Sequence, residues 1–179
     1  MNTKIEVNKP EPISTEVEML TFREGEDLRA IIKALEQGEY VWINALYSDG
    51  IFLLKELHSY LGKKLPNKTF KEQQAYRSEY HRLSNLVLLE VVDQKLTVDK
   101  SPSIGWLEKL YPENNHFLLS FPQIQGMNSA WQWYEKGVSI PVLRNKIHPY
   151  YGTYFPTRFE HLVVFDNWLK RYEGPKNLL

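Results

Sequence analysis

The sequence contains no cysteine. This absence excludes a disulfide framework, a thiolate nucleophile and a zinc site built from cysteine ligands. Glycine is present, but the nine glycines lie far apart and form neither a G-x-G-x-x-G pattern nor a P-loop. A phosphate-binding loop needs closely spaced glycines, because its backbone amides must approach the anion. A complete nucleotide-binding core is therefore missing from the sequence.

The chain also lacks an excess of either charge and lacks any long apolar run. Its 22 basic and 22 acidic residues give a formal net charge of zero. That balance argues against strong nonspecific binding to nucleic acid. The first residues contain no apolar segment of the kind that a signal peptide requires, and no run approaches a membrane span. These absences predict a cytoplasmic protein without a membrane partner.

The histidines do not form a ready metal pair. None of the five stands three or four residues from another, so no helical face presents two imidazoles. A metal site would have to be assembled from histidines at distant positions in the sequence. We therefore expect no metal. The sequence has no G-x-S-x-G nucleophile elbow either, and it identifies no catalytic residue.

Amphipathic patterns predict three helices in the first half. Gly38 stands where a helix-ending glycine belongs, Asp49 is a suitable N-cap for the second helix, and Thr69 starts the third. The predicted helices run from about Glu26 to Gln37, from about Gly50 to Tyr60, and from Thr69 onward. Together they predict a small helical subdomain over residues 19–85, preceded by a flexible arm at 1–18.

The second half mixes strand and helix patterns. Residues 86–92 are apolar and β-branched, which fits either a buried strand or the end of a helix, and 40–43 fits a brief strand or a buried connection. The other predicted elements are strands at 95–98 and 116–121, helices at 104–111 and 129–136, and a β-hairpin of 138–143 with 147–151. The expected fold class is α+β, with a small N-terminal helical bundle, a mixed segment at 86–156 containing the hairpin, and a C-terminal helix from 157.

The stretch from His148 to His161 is an aromatic loop that leads into this last helix. Thr157 and Glu160 have the spacing of a capping box. Tyr150 and Tyr151 lie in the loop rather than on a periodic face, so they are candidates for stacking on a planar ligand or a partner. His161 falls in the first helical turn, where the dipole disfavours a protonated imidazole, and it is a candidate to orient a ligand. Simple packing is the alternative role for each of them.

The residue pattern at the end of the sequence is typical of a domain boundary. The predicted helix ends near Tyr172, and Gly174-Pro175 then leads into the apolar pair Leu178-Leu179. A helix, a turn and the start of an apolar run are typical of a connection into an α/β domain. Residues 157–179 are therefore expected to lead into a missing Rossmann-like domain. A natural tail is the alternative.

The same region carries a family resemblance. The stretch His148-Pro-Tyr-Tyr-Gly-Thr-Tyr-Phe-Pro-Thr-Arg-Phe-Glu-His161, its helix and the Gly-Pro turn resemble the segment before the catalytic core of class I S-adenosylmethionine-dependent methyltransferases. The likeness is closest to the protein-glutamine N5-methyltransferases and covers roughly residues 143–174. Where that group usually has Pro-Arg-Pro-Glu-Thr-Glu, this sequence keeps the proline and an acid. Both the glycine-rich cofactor loop and the Asn-Pro-Pro-Tyr motif are absent.

The resemblance implies that the chain is the substrate-recruiting N-terminal region of a methyltransferase and is inactive alone. S-adenosylmethionine would be the cofactor of the full-length protein, and the C-terminal catalytic domain of the same protein would be the partner. The residues that would lie beside the cofactor are Tyr154, Phe155, Pro156 and Thr157. The methyl acceptor is not identified. The alternative is a stand-alone α+β interaction module that uses the aromatic loop as a partner surface.

Overall fold

The protein has an α+β fold, with a five-stranded mixed sheet and helices between and after its strands. The computed structural model describes residues 8–66, 68–153 and 158–174. The helices are α1 (Leu28–Gln37), α2 (Tyr47–Lys64), α3 (Phe70–Ser84), α4 (Gly105–Leu110), α5 (Phe121–Lys136) and α6 (Glu160–Arg171). The strands are β1 (Met19–Phe22), β2 (Tyr40–Ile43), β3 (Val87–Val92), β4 (Lys95–Leu96) and β5 (His116–Ser120). The chain divides into two compact groups, and the division falls within α5, between Ser129 and Ala130.

Strand β3 is the centre of the sheet. Strands β1, β2 and β3 are parallel neighbours, whereas β4 and β5 pair antiparallel with β3. One edge of β3 is shared, because β2 pairs with its first residues and β4 with its last, while β5 occupies the other edge. The consecutive residues Val87, Leu88 and Leu89 are all fully buried, so both faces of β3 are covered. Residues 86–92 thus supply a strand rather than a helix end.

Helix α1 forms where its pattern predicts. Its N-cap Asp27 accepts hydrogen bonds from the backbone amides of Arg29 and Ala30, and Gly38 ends it with a left-handed φ of 89°. Helices α1 and α2 both contact β2, and α3 contacts α2. The predicted helical subdomain at 19–85 therefore also contains β1 and β2, which belong to the same sheet as β3. Strands β1 and β2 are only four residues long, so their sequence patterns are too short to identify them as strands.

Helices α2 and α3 begin in different ways. The predicted cap Asp49 lies inside α2, which starts at Tyr47, and its carboxylate accepts a hydrogen bond from the Leu46 amide at 3.1 Å. The predicted start of this helix after Asp49 is therefore wrong by three residues. Asp49 is the third residue of α2, and its side chain caps the helix from there. Helix α3 begins at Phe70, next to the start predicted at Thr69; Thr69 is its N-cap, and Glu72 completes a capping box.

Helix α5 follows β5 directly. The sequence predicts a strand stopped by Pro122 and a helix from Ser129, but α5 already begins at Phe121. Proline is compatible with the first turn of a helix, because the amide that it lacks would have no intrahelical acceptor there. The Gln123 side chain also accepts a hydrogen bond from the Ser120 amide at 3.3 Å. Pro122 thus marks the start of a helix as well as the end of a strand.

The segment before β1 is attached to the sheet. Ile13 forms an antiparallel bridge with Leu118 of β5, with both N–H···O distances at 2.9 Å. The Tyr111 hydroxyl donates to the Pro10 carbonyl at 2.7 Å, and the Lys9 ammonium donates to a carbonyl of α4. Residues 9–13 therefore differ from the flexible arm predicted for 1–18. These residues are held by pairing with distant parts of the chain. One isoleucine in a polar segment shows no periodic pattern from which that pairing could be predicted.

Candidate functional site

The candidate site is built on the C-terminal end of α5. The last carbonyls of a helix have no intrahelical donor. Here the Gly137 amide donates to the Trp133 carbonyl at 3.0 Å, and the Lys146 ammonium donates to the Lys136 carbonyl at 3.0 Å. His148 Nδ1 lies 2.6 Å from the Tyr134 carbonyl oxygen. Because a carbonyl only accepts, Nδ1 carries the hydrogen in this bond. The returning loop thus caps the helix with a lysine, as the helix dipole favours.

Gly137 allows this loop to close. Its φ is +68°, in the left-handed region that disfavours residues with a side chain. A Cβ atom at this position would lie 2.9 Å from His148 Cε1 and 3.1 Å from Lys146 Cβ. Both residues that cap α5 would have to move to make room. Gly137 therefore fixes the position of the His148 ring as well as the end of the helix.

The predicted β-hairpin is reduced to one bridge. Val138 and Ile147 exchange two backbone hydrogen bonds, with N···O distances of 2.8 and 3.0 Å. Beyond the bridge, Leu143 donates to the Ile140 carbonyl at 2.9 Å and closes a turn. Pro141 sits inside that turn and has no amide to offer a ladder. The regular strands predicted at 138–143 and 147–151 therefore do not form.

Four rings form an aromatic cluster, defined here as Trp131, Tyr134, His148 and Tyr150. Tyr134 is its centre. Its ring stacks on Trp131 at a centroid distance of 5.4 Å, and it meets His148 and Tyr150 edge to face at 6.4 and 6.3 Å. These geometries are typical of favourable aromatic pairs. The aromatic cluster holds the start of the predicted loop against the end of α5.

Two of the predicted site residues lie in a turn beside this cluster. Thr153 donates to the Tyr150 carbonyl at 3.0 Å, and Gly152 has a φ of +75°, as position i+2 of a type II turn requires. Tyr150 is 43% exposed, so one side of its ring remains accessible. Tyr151 is half-buried, and burial raises the pKa of its phenol above the ordinary value near 10. Tyr151 is therefore a neutral group at physiological pH.

The remaining predicted residues are separate from this cluster or lie outside the described ranges. His161 is exposed in the first turn of α6, where the sequence places it. The predicted cofactor residues Tyr154, Phe155, Pro156 and Thr157 lie outside the described residues, as does the capping box that includes Thr157.

Helix α6 exposes an aromatic face, defined as Phe165, Trp168 and Tyr172. Phe165 stacks on Trp168 at 5.8 Å, and Trp168 stacks on Tyr172 at 4.8 Å. No residue of α6 is buried, and Phe165 and Trp168 each remain 53% exposed. The predicted helix is confirmed, but its apolar side is not part of a core. Neighbouring exposed apolar side chains mark interaction sites more often than isolated exposed residues do.

Three members of the aromatic cluster, Trp131, Tyr134 and His148, were not predicted as site residues from the sequence. Trp131 and Tyr134 lie in the predicted helix at 129–136, and His148 opens the predicted loop. A usable signal was present for the aromatic face of α6, since Phe165, Trp168 and Tyr172 recur at helical spacing of three and four residues. The capping role of His148 depends on a fourteen-residue separation, which no local pattern reveals.

Comparisons with known proteins add no assignment. No protein-family profile matches the chain, and no curated protein matches it. In the described ranges, no three histidine, aspartate or glutamate residues are grouped so that they could hold a metal ion. None of the described helices combines the length and the apolar character needed to cross a bilayer.

Proposed function

We propose that this chain is the substrate-recruiting accessory region of an S-adenosylmethionine-dependent methyltransferase. The observation that carries the proposal is the aromatic face of α6, which stays half exposed at Phe165 and Trp168. An amphipathic helix gains its stability by covering such a face with another element. In the family that the sequence resembles, this helix directly precedes the catalytic core. The proposed cover is therefore a Rossmann-like catalytic domain.

The chain by itself supplies only part of a cofactor site. Its glycines are too widely spaced to form the glycine-rich loop that binds the cofactor in the family it resembles. By the same resemblance, Tyr154 to Thr157 contribute one wall of the pocket, and the catalytic domain contributes the loop. The sequence also contains no Asn-Pro-Pro-Tyr motif for the transfer step. The chain alone is then expected to bind no cofactor and to transfer no methyl group.

Calorimetric titration of S-adenosylmethionine into the isolated chain tests this expectation. We expect no saturable heat, because the groups that recognise the cofactor's charge and nucleoside are missing. A dissociation constant in the micromolar range (about −8 kcal/mol) would contradict the accessory role and place a complete cofactor site in this chain.

A second experiment tests the proposed partner. The coding sequence that follows codon 179 is determined, and we expect an acidic strand and a glycine-rich loop. The chain is then expressed together with that domain, and S-adenosylmethionine binding is compared for Trp168→Ala and Asn167→Ala. Trp168→Ala should weaken the assembly, whereas Asn167→Ala removes an exposed side chain of the same helix and should not. A stop codon at that point, or equal behaviour of the two variants, would contradict the proposal.

A stand-alone interaction module is the second candidate, and it is favoured by the exposure of Tyr150. Tyr150 is 43% exposed, and its ring meets the Tyr134 ring edge to face. A rigid, amphipathic tyrosine of this kind is well suited to a protein–protein contact, because little conformational entropy is lost on binding. The stop codon that would contradict the methyltransferase proposal would support this one.

A further inference from the structure

A second site lies among the described residues of the group Asn8–Ser129, far along the sequence from the aromatic loop. It is a cavity of about 610 Å³ between α2 and α3, here named the α2–α3 pocket. This volume falls within the range of roughly 300–1,000 Å³ that is typical of small-ligand sites. The pocket is lined by His58, Gln73, Tyr76, Arg77, Tyr80, His81, Ser84 and Pro122. Most of these residues recur at spacings of three and four, so they share one face of α3.

The aromatic wall of the pocket is fixed before any ligand binds. The His58 ring of α2 meets Tyr76 and Tyr80 edge to face, each at a centroid distance of 5.5 Å. The Tyr76 hydroxyl also donates to the His58 carbonyl at 3.0 Å. Rings held in this way offer planar surfaces without losing much rotamer freedom on binding. The wall is therefore suited to a flat, aromatic group.

The polar side of the pocket is positive. Arg77 is exposed and makes no ion pair within the described residues. No carboxylate is among the lining residues. The two glutamates nearest to Arg77 along α3 are engaged elsewhere: Glu79 pairs with Arg82 at 2.7 Å, and Glu72 accepts from the Thr69 amide at 2.9 Å. An unpaired guanidinium is well matched to a phosphate, to which it can donate two parallel hydrogen bonds.

The phenols add neutral donors to this positive site. Burial raises the pKa of Tyr76 and of Tyr80 above the ordinary value near 10, so both remain protonated at physiological pH. Neither phenol then repels an anion. The Tyr76 hydroxyl donates its hydrogen bond to the His58 carbonyl. The Tyr80 hydroxyl has no acceptor in the described part of the chain, so it can donate to a ligand.

We propose that the α2–α3 pocket binds a free nucleoside monophosphate, with the base against the tyrosine rings and the phosphate at Arg77. Stacking on aromatic side chains serves any of the four bases, because each has a π-face. Arg77 is the one lysine or arginine among the lining residues, so the pocket offers a single guanidinium beside its aromatic rings. The proposal is independent of the methyltransferase proposal, because it uses no residue of the aromatic loop or of α6.

The test is a calorimetric titration of the full chain with AMP, GMP, CMP and UMP, and with adenosine and inorganic phosphate. We expect at least one nucleotide to bind about tenfold more tightly than adenosine or phosphate, since both ends of the ligand contribute. Arg77→Gln should lower the affinity for that nucleotide about tenfold. Lys71→Gln, which removes the same charge from an exposed position outside the pocket, should leave the affinity unchanged.

Three outcomes would overturn the proposal. The first is that none of the four nucleotides shows saturable binding. The second is that Arg77→Gln, with a wild-type circular dichroism spectrum, binds as tightly as the unchanged chain. The third is that a single-stranded hexa-adenylate binds more tightly than AMP, which would reassign the pocket to a nucleic-acid strand. Because Arg77 is exposed, its substitution is expected to leave the fold intact.

Discussion

At the scale of single residues, Gly50 shows how a missing side chain lets two elements approach. Gly50 is buried in α2, and a Cβ atom there would lie 2.1 Å from a ring carbon of Phe121. That ring is fully buried and stacks on Tyr47 at 4.8 Å, so it has no free direction in which to move. The sequence marks Gly50 as a helix start. Its real constraint is a contact with a residue more than seventy positions away, which no local pattern contains.

The first prediction compares two glycines of the same helix. Gly50→Ala should lower the free energy of unfolding by about 1–3 kcal/mol, because overpacking outweighs the gain of up to about 1 kcal/mol in helix propensity. Gly62→Ala should raise it by up to about 1 kcal/mol, since no atom lies within 4 Å of its added Cβ. Urea unfolding monitored by circular dichroism measures both. Equal stability of the two variants would refute the packing explanation.

At the scale of elements, local signals predict some boundaries well and others poorly. The start of α3 is readable because Thr69 and Glu72 satisfy each other's backbone amides within four residues. Strand β1 is missed, because Met19–Phe22 pairs in parallel only with β2 and carries four residues of mixed exposure. A helix cap is formed by residues close together in the sequence, whereas a short parallel strand is stabilised by its pairing with a neighbouring strand. The same difference explains why the predicted hairpin shrank to the bridge of Val138 and Ile147.

The second prediction concerns the pH dependence of the α3 cap. Hydrogen bonds, chiefly from the Thr69 amide, hold the pKa of Glu72 below its ordinary value of 4.5. A lowered folded-state pKa contributes stability that is present above the ordinary pKa and lost as the pH falls below it. Glu72→Gln should therefore be less stable than the unchanged chain at pH 7, and the difference should shrink at pH 3.

Glu113→Gln provides the control for this cap. It removes the same charge from an exposed position that has no hydrogen bond among the described residues. Urea unfolding at the two pH values compares the variants. A difference between Glu72→Gln and the unchanged chain that persists at pH 3 would show that the carboxylate's ionisation is not responsible.

At the scale of the whole molecule, the α+β class was predictable from the alternation of helical and apolar β-branched segments. The grouping of the chain was not. Predicted boundaries at 18, 85 and 156 follow changes in composition, whereas the structure divides the chain after Ser129. The sheet accounts for this difference, because it joins β1, β2 and β3 with β5 across the predicted boundary at 85. Of the candidate site, the sequence singled out Tyr150 but not the Tyr134 ring that it meets edge to face, because that contact joins positions sixteen residues apart.

The third prediction follows from four tyrosines that are buried or half-buried. Burial raises the pKa of the phenols above 10 at Tyr47, Tyr76, Tyr80 and Tyr151. An acid with a raised folded-state pKa keeps its proton while the unfolded chain loses it, so stability should fall as the pH rises above about 10. Thermal unfolding between pH 8 and pH 12 measures the decline. Tyr47→Phe should reduce its slope, and a slope that does not change would contradict a contribution from Tyr47.

The attachment of residues 9–13 has a consequence for biosynthesis. The Pro10 carbonyl meets the Tyr111 hydroxyl 101 positions later in the chain. At typical synthesis rates, the ribosome needs about 5 to 20 s to cover that distance. During this interval the early segment has no acceptor strand, and the sheet lacks β5. Residues 9–13 are thus made well before their partners, and the nascent chain must stay soluble with an open sheet edge until β5 emerges.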